Sequence, residues 1–231
     1  MMKVEIWSDI ICPFCYIGKR KFETALQDFK EKATVEIIWR SYQLDPQLKQ
    51  VPQQSVHEYL ALRKGVSTAE GKAMNDTMTA TAREVGLFYD LDSAVINNTL
   101  NAHRLSHLAA RYGLQNEIEE ALFAAYFIQG QDVGDFKVLI EIGVAAGLKE
   151  TDIKKMYETD EFTEEVEADQ YMAKTIGVQG VPFYVFNNKY AVSGAQSVAV
   201  FKQALEQIWS EENPAQPDEA AGFCTPEGIC K

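Results

Sequence analysis

The chain has 231 residues, 46% of them hydrophobic and 11% aromatic, enough to bury a substantial core as one large domain or two intimately packed ones. With 34 acidic against 22 basic side chains the formal net charge is −12, which argues against nucleic acid and anionic membrane surfaces as partners. No apolar stretch approaches the roughly 20 residues that a bilayer-spanning helix needs.

Met1-Met2-Lys3 runs at once into Val4-Glu5-Ile6-Trp7, a strand pattern without the long apolar helix and small-residue cleavage site of a secretory signal. A mature chain that has lost its signal would look similar, but the Met start favours a cytoplasmic address. Reducing conditions there disfavour a purely structural disulfide. Residues 4–10 predict a buried strand, and residues 13–32 a helix with Ile17, Phe22, Leu26 and Phe29 along one stripe. The β-branched segment 34–39 predicts a second strand. A strand–helix–strand unit of this length implies a parallel pair joined by a right-handed crossover.

Cys12-Pro13-Phe14-Cys15 stands at the junction of the first strand and helix. Two cysteines three apart in that context read as a dithiol–disulfide active site. A disulfide between them closes so small a loop that it adds little stability through chain entropy, so its use is chemistry. A helix beginning near Pro13 puts Cys12 at the cap, where free backbone N–H groups and the helix dipole favour an anion. Pro13 suits the first helical position, since its φ is preset and its missing N–H is no loss there. Cys12 is therefore expected to attack as a thiolate and Cys15, one turn inside, to be the shielded resolving thiol, with a mixed disulfide between the two steps. The alternatives are a structural disulfide or half a zinc site; zinc knuckles seldom begin a long helix after a strand.

Asp45-Pro46 and Val51-Pro52 then punctuate the chain. From about 55 to 163 the pattern is helix after helix: 55–64, 67–85, 98–112, 116–129, 135–146 and 149–158. Gly65, Gly86, Gly113, Gly130 and Gly147 stand just past their ends, as terminating glycines do. After a helix near 164–176, strand character returns at 183–186 and 190–193, with Asn187-Asn188 between them as a hairpin turn. A last helix covers about 197–209. The order βαβ, helical block, αββα is most simply a helical insertion into one α/β sheet domain. Residues 213–231, rich in Pro, Gly, Ala and acidic side chains, read as an irregular tail.

Gly180-Val181-Pro182-Phe183 precedes the third strand. Proline is kept out of central strands, so Pro182 belongs at a strand's start. His103 and His107 lie four apart on one helix, a metal-capable spacing, yet packing or hydrogen bonding is the better reading. Asp9, three before Cys12, either caps a turn or takes a proton from Cys15, the first being the commoner role. The aromatic run 122–128 reads as core, and Glu117, Glu119, Glu120, Glu164 and Glu165 as solvated helix faces.

These segments form an ordered set: Trp7-Ser8-Asp9, Cys12-Pro13-Phe14-Cys15-Tyr16-Ile17-Gly18, Leu44-Asp45-Pro46, Asn98-Thr99-Leu100-Asn101-Ala102-His103-Arg104-Leu105, and Gly180-Val181-Pro182-Phe183. The set spans almost the whole chain and resembles the DsbA-like branch of the thioredoxin superfamily, in particular its FrnE-type group of cytosolic dithiol oxidoreductases. The resemblance implies an α/β thioredoxin fold with a large all-helical insertion. The thioredoxin-like part would take residues 1–46 and 163–212, the inserted helices 47–162 and the tail 213–231. It also implies Cys12 as nucleophile, Cys15 as resolving thiol and a cis Val181–Pro182 bond facing them, with Pro13, Phe14, Val181 and Pro182 as the substrate-binding set. Phe14 departs from the Trp common in similar proteins and from the His of DsbA itself, so the motif holds no imidazolium to stabilise the thiolate.

Cys224 and Cys230 form a second pair, separated by a turn-forming segment with Pro226 and Gly228, and can close a disulfide. FrnE-like proteins often carry such a pair in their tail. An internal relay to Cys12–Cys15, an incidental disulfide and a four-cysteine metal site are the readings left open. The expected function is a thiol–disulfide oxidoreductase or isomerase acting on proteins or small thiols. No resident cofactor or metal is expected; glutathione is a candidate co-substrate and a homodimer is open. A second reading is a glutathione-dependent enzyme of the kappa-class transferase or 2-hydroxychromene-2-carboxylate isomerase type, although those usually carry Ser where this chain has Cys12. A third is a non-catalytic, redox-sensitive binding module.

Overall fold

The computed structural model describes residues 1–49 and 54–214. Strand β1 (Met2–Ser8) leads through a short turn into helix α1 (Pro13–Asp28), a 3-10 turn at Lys32–Thr34 and strand β2 (Val35–Ser41). Strands β1 and β2 pair in parallel, from Met2 opposite Val35 to Ser8 opposite Ser41. The turn that ends β1 at Ser8 instead of residue 10 is closed by the Cys12 N–H donating to the Asp9 carbonyl at 3.0 Å. Helix α1 ends at Asp28, short of residue 32, where the Phe29 N–H bonds back to Leu26 and the chain turns extended. The Val51-Pro52 punctuation lies outside the described residues.

Among the described residues seven helices follow: α2 (Val56–Lys64), α3 (Thr68–Arg83), α4 (Leu100–Ala110), α5 (Gln115–Phe127), α6 (Phe136–Ala145), α7 (Glu150–Glu158) and α8 (Thr163–Thr175). Their starts are encoded locally. Ser55 with Glu58 and Ser67 with Glu70 form capping boxes, satisfying two orphan donors each. Strands β3 (Phe183–Phe186) and β4 (Tyr190–Ser193) and helix α9 (Val198–Glu212) are the last elements among the described residues. The sheet order is β2-β1-β3-β4, with β3 antiparallel to both neighbours. Asn187 and Asn188 both take positive φ, 47° and 55°, the pair of left-handed residues that a tight hairpin of matching twist requires.

Strand β1 is central and almost wholly buried, so even Glu5 is enclosed; Arg40 reaches it at 2.5 Å and bridges on to Asp169 at 3.0 Å. On one face of the sheet Phe22, Tyr184, Phe186 and Phe201 pack ring against ring, each fully buried ring being worth roughly 2–3 kcal/mol. On the other face Trp7 packs with Ala173 and Val178. The main core continues without a break from Val4 and Ile6 into Leu105, Leu122, Phe123 and Ile153 of the helical segment. Tyr16 of α1 stacks on Phe123 of α5 at 5.0 Å. The architecture is a thioredoxin fold carrying a helical insertion packed directly behind α1.

Candidate active site

Cys12 is the N-cap of α1, held extended at φ −87° and ψ 110°, and Pro13 is the first helical residue. The first turn of the helix leaves unpaired N–H groups beside that position, although the Cys12 thiol itself bonds to none of them. The Cys15 N–H closes the turn onto the Cys12 carbonyl at 3.0 Å. Both sulfurs are free thiols, and both residues are nearly covered, 4% exposed at Cys12 and 1% at Cys15. Phe14, between them, is instead 47% exposed. It is an apolar ring presented to solvent at the mouth of the site.

Across from the helix tip, the Val181–Pro182 peptide bond is cis. The Cys12 thiol donates to the Val181 carbonyl at 3.4 Å, joining two segments 169 residues apart. Pro182 also reaches α1 itself, because its ring lies 3.0 Å from where a Cβ on Gly18 would sit. Thus Cys12, Pro13, Cys15, Val181 and Pro182 converge, with Phe14 at the rim. Cys224 and Cys230 lie outside the described residues.

Burial pushes the Cys15 thiol well above its ordinary range, and the neighbouring Cys12 adds to this; the Ser8 hydroxyl and the Asp9 backbone N–H act the other way. The inner sulfur is therefore hard to ionise, as a resolving thiol would be. Tyr89, from the insertion, donates its hydroxyl to the Pro13 carbonyl at 2.9 Å and stacks on Phe127 at 4.5 Å. Burial, followed by the Cys12 sulfur, pushes that phenol far up, so it stays a donor and braces the turn.

Asp9 is fully buried, and both of its carboxylate oxygens are engaged by groups other than Cys15. One oxygen accepts the Leu44 N–H at 2.7 Å and the other lies 3.3 Å from His103 Nε2. It ties the cysteine loop to the segment after β2 and to α4. His107 turns elsewhere, to Ser41 Oγ at 3.0 Å and Asp169 at 3.1 Å, so the two histidines serve separate contacts. One turn into α1, Tyr16, Lys19 and Arg20 converge on Glu120 of α5, with Tyr16 at 2.6 Å and Lys19 at 2.7 Å. Burial would raise the Glu120 carboxyl, but hydrogen bonds from Arg20, Lys19 and Tyr16 hold it down at about 2. Glu119 and Glu120 are thus not solvated surface charges: Glu119 is 3% exposed and bonded to Ser106.

Four residues of the site carried no role in the sequence reading: Ser8, Gly18, Tyr89 and Tyr184. Ser8 and Gly18 lie inside the motif segments, but Tyr89 and Tyr184 enter only through tertiary packing, for which the sequence holds no local signal.

Residues 3–206 match a family model described as a DSBA-like thioredoxin domain. The crystal structure of a "probable DsbA oxidoreductase" from Streptomyces coelicolor is similar over 100% of this chain and 99% of that one, at 37% identity and a TM-score of 0.85. A 2-hydroxychromene-2-carboxylate isomerase is similar over 93% of this chain and all of its own, at 12% identity and a TM-score of 0.65. The cytosolic disulfide reductase DsbM from Pseudomonas aeruginosa, solved with GSH, matches 90% of this chain and 98% of its own, at 13% identity and a TM-score of 0.59. At such identities the last two show a shared fold and nothing finer.

Proposed function

The chain belongs to the DSBA-like thioredoxin domain family, and from that premise we propose that it exchanges disulfides with protein or small-thiol substrates through Cys12 and Cys15, in the manner of a cytoplasmic FrnE-type enzyme. The observation that carries this reading is the Cys12 sulfur at the N-terminus of α1, 3.4 Å from the carbonyl that precedes the cis Pro182.

Cys12 attacks a substrate disulfide as a thiolate, favoured by the free N–H groups and dipole of the helix end. One substrate sulfur leaves with the electron pair, and a mixed disulfide forms on Cys12. Phe14 and Val181 flank the adduct, one offering an apolar ring and the other its backbone. Cys15 then displaces the remaining substrate sulfur and closes the Cys12–Cys15 disulfide; the reverse sequence oxidises a substrate dithiol. Glutathione is a fitting small-thiol partner, supported by the DsbM structure that contains it. Cys224 and Cys230 are proposed to relay disulfides to the Cys12–Cys15 pair. The isomerase shares the fold, but a dithiol gives that chemistry no advantage over a lone Ser.

The test is insulin reduction by wild type and Cys12→Ser. Turnover is expected to fall on the order of a thousandfold, since the nucleophile itself is removed. Turnover preserved in the variant would refute the assignment.

A further inference from the structure

Among the described residues three buried side-chain polar atoms have no hydrogen-bond partner: Ser8 Oγ, Tyr184 Oη and Glu119 Oε2. Two of the three lie around the first turns of α1, Ser8 Oγ beside Cys15 and Tyr184 Oη beside Gly18. A buried hydroxyl without a partner is costly to keep, so its retention beside a reacting atom calls for a cause. Ser8 ends β1, and its hydroxyl lies against the Cys15 sulfur, easing ionisation there. Tyr184 lies on β3 opposite Ile6, two residues past the cis Pro182. It is fully buried, and its hydroxyl reaches the second turn of α1, 2.6 Å from where a Cβ on Gly18 would stand. Gly18 is one turn from Cys15 on the same helix face. Only a residue without a side chain leaves the phenol room to enter.

We propose that the Ser8 and Tyr184 hydroxyls form an anion site for the Cys15 sulfur, idle toward the thiol and donating hydrogen bonds once the sulfur ionises. This rests on the disulfide-exchange reading above. In the resolving step Cys15 loses its proton and attacks the Cys12 sulfur. The Cys12–Cys15 bond forms, the bond from Cys12 to the substrate sulfur breaks, and the electron pair leaves on that sulfur, which takes up a proton. In the reverse step the pair returns to Cys15, and the same two donors receive it. Burial and the two cysteine sulfurs push Tyr184 well above its ordinary range, so it remains a donor throughout. The groups acting on Cys15 ionisation are the Cys12 thiol, the Ser8 hydroxyl and the Asp9 N–H, with Tyr89 facing it from the insertion.

The experiment loads Cys12 of the full-length reduced chain with oxidised glutathione and follows glutathione release as Cys15 resolves the adduct, in wild type, Ser8→Ala and Tyr184→Phe. Each variant is expected to release glutathione roughly tenfold more slowly near neutral pH, with the deficit shrinking as pH rises and supplies the thiolate. Alkylation of Cys12 should be unchanged, and thermal stability equal or higher, because each substitution removes an unpaired buried hydroxyl. Ser8→Thr should restore the rate lost in Ser8→Ala. Wild-type release rates with an unchanged pH profile in both variants would overturn the proposal. A wild-type protein that never forms the Cys12 adduct would overturn the disulfide-exchange reading and this proposal with it.

Discussion

Gly18 shows how tightly a single position is constrained around Cys15. A methyl group there would meet the Tyr184 hydroxyl at 2.6 Å and the Pro182 ring at 3.0 Å, both parts of rigid, fully packed elements. Gly18→Ala is therefore expected to destabilise the fold by about 1–3 kcal/mol through overpacking, despite the better helix propensity of Ala. A urea-unfolding midpoint at or above wild type would show that the phenol can swing away. Residue types were legible here and orientations were not. The dithiol, Pro13 and Pro182 declare themselves by spacing and by proline's exclusion from strands. The aim of the Asp9 carboxylate, toward Leu44 and His103, depends on a loop 35 residues downstream and on a helix beyond it. No local pattern carries that.

At the scale of elements, α1 is held to the insertion by charge as well as by rings. Glu120 on α5 gathers Tyr16, Lys19 and Arg20, spaced i, i+3 and i+4 on α1. Its carboxyl titrates at about 2, against 4.5 for a free one. A depressed folded-state value means the stabilisation is complete above about 4.5 and is lost as pH falls toward 2. Discounted for a side chain 34% exposed, the loss is about 1–2 kcal/mol. Stability measured between pH 5 and pH 2 should fall less steeply in Glu120→Gln; equal slopes would mean the network contributes nothing. Helix ends were readable wherever glycine marks them: Gly65, Gly86, Gly113 and Gly130 take φ between 61° and 78°, which side-chain-bearing residues rarely adopt. The end of α1 at Asp28 was missed because a run of helix-favouring Glu and Lys residues follows it with no glycine or proline to stop the pattern.

For the molecule as a whole, the periodicity change from strands to helices and back exposed an α/β sheet domain with a helical insertion, because the elements on each side bury different repeats; the resemblance of the motif segments identified it as a thioredoxin fold. What it did not expose is that the insertion completes the site. Tyr89 reaches the Pro13 carbonyl, and the core runs unbroken from β1 to α7. The cysteine turn is thus held by the assembled chain, not by the cysteine segment alone. The most direct measurement is peptide mapping of Cys15→Ser after exposure to a disulfide-containing protein or to oxidised glutathione. With the resolving sulfur gone, the adduct should accumulate on Cys12, approaching one per chain, and vanish when Cys12→Ser is added. An adduct distributed over Cys224 and Cys230, or none at all, would contradict the assignment of Cys12 as the attacking sulfur.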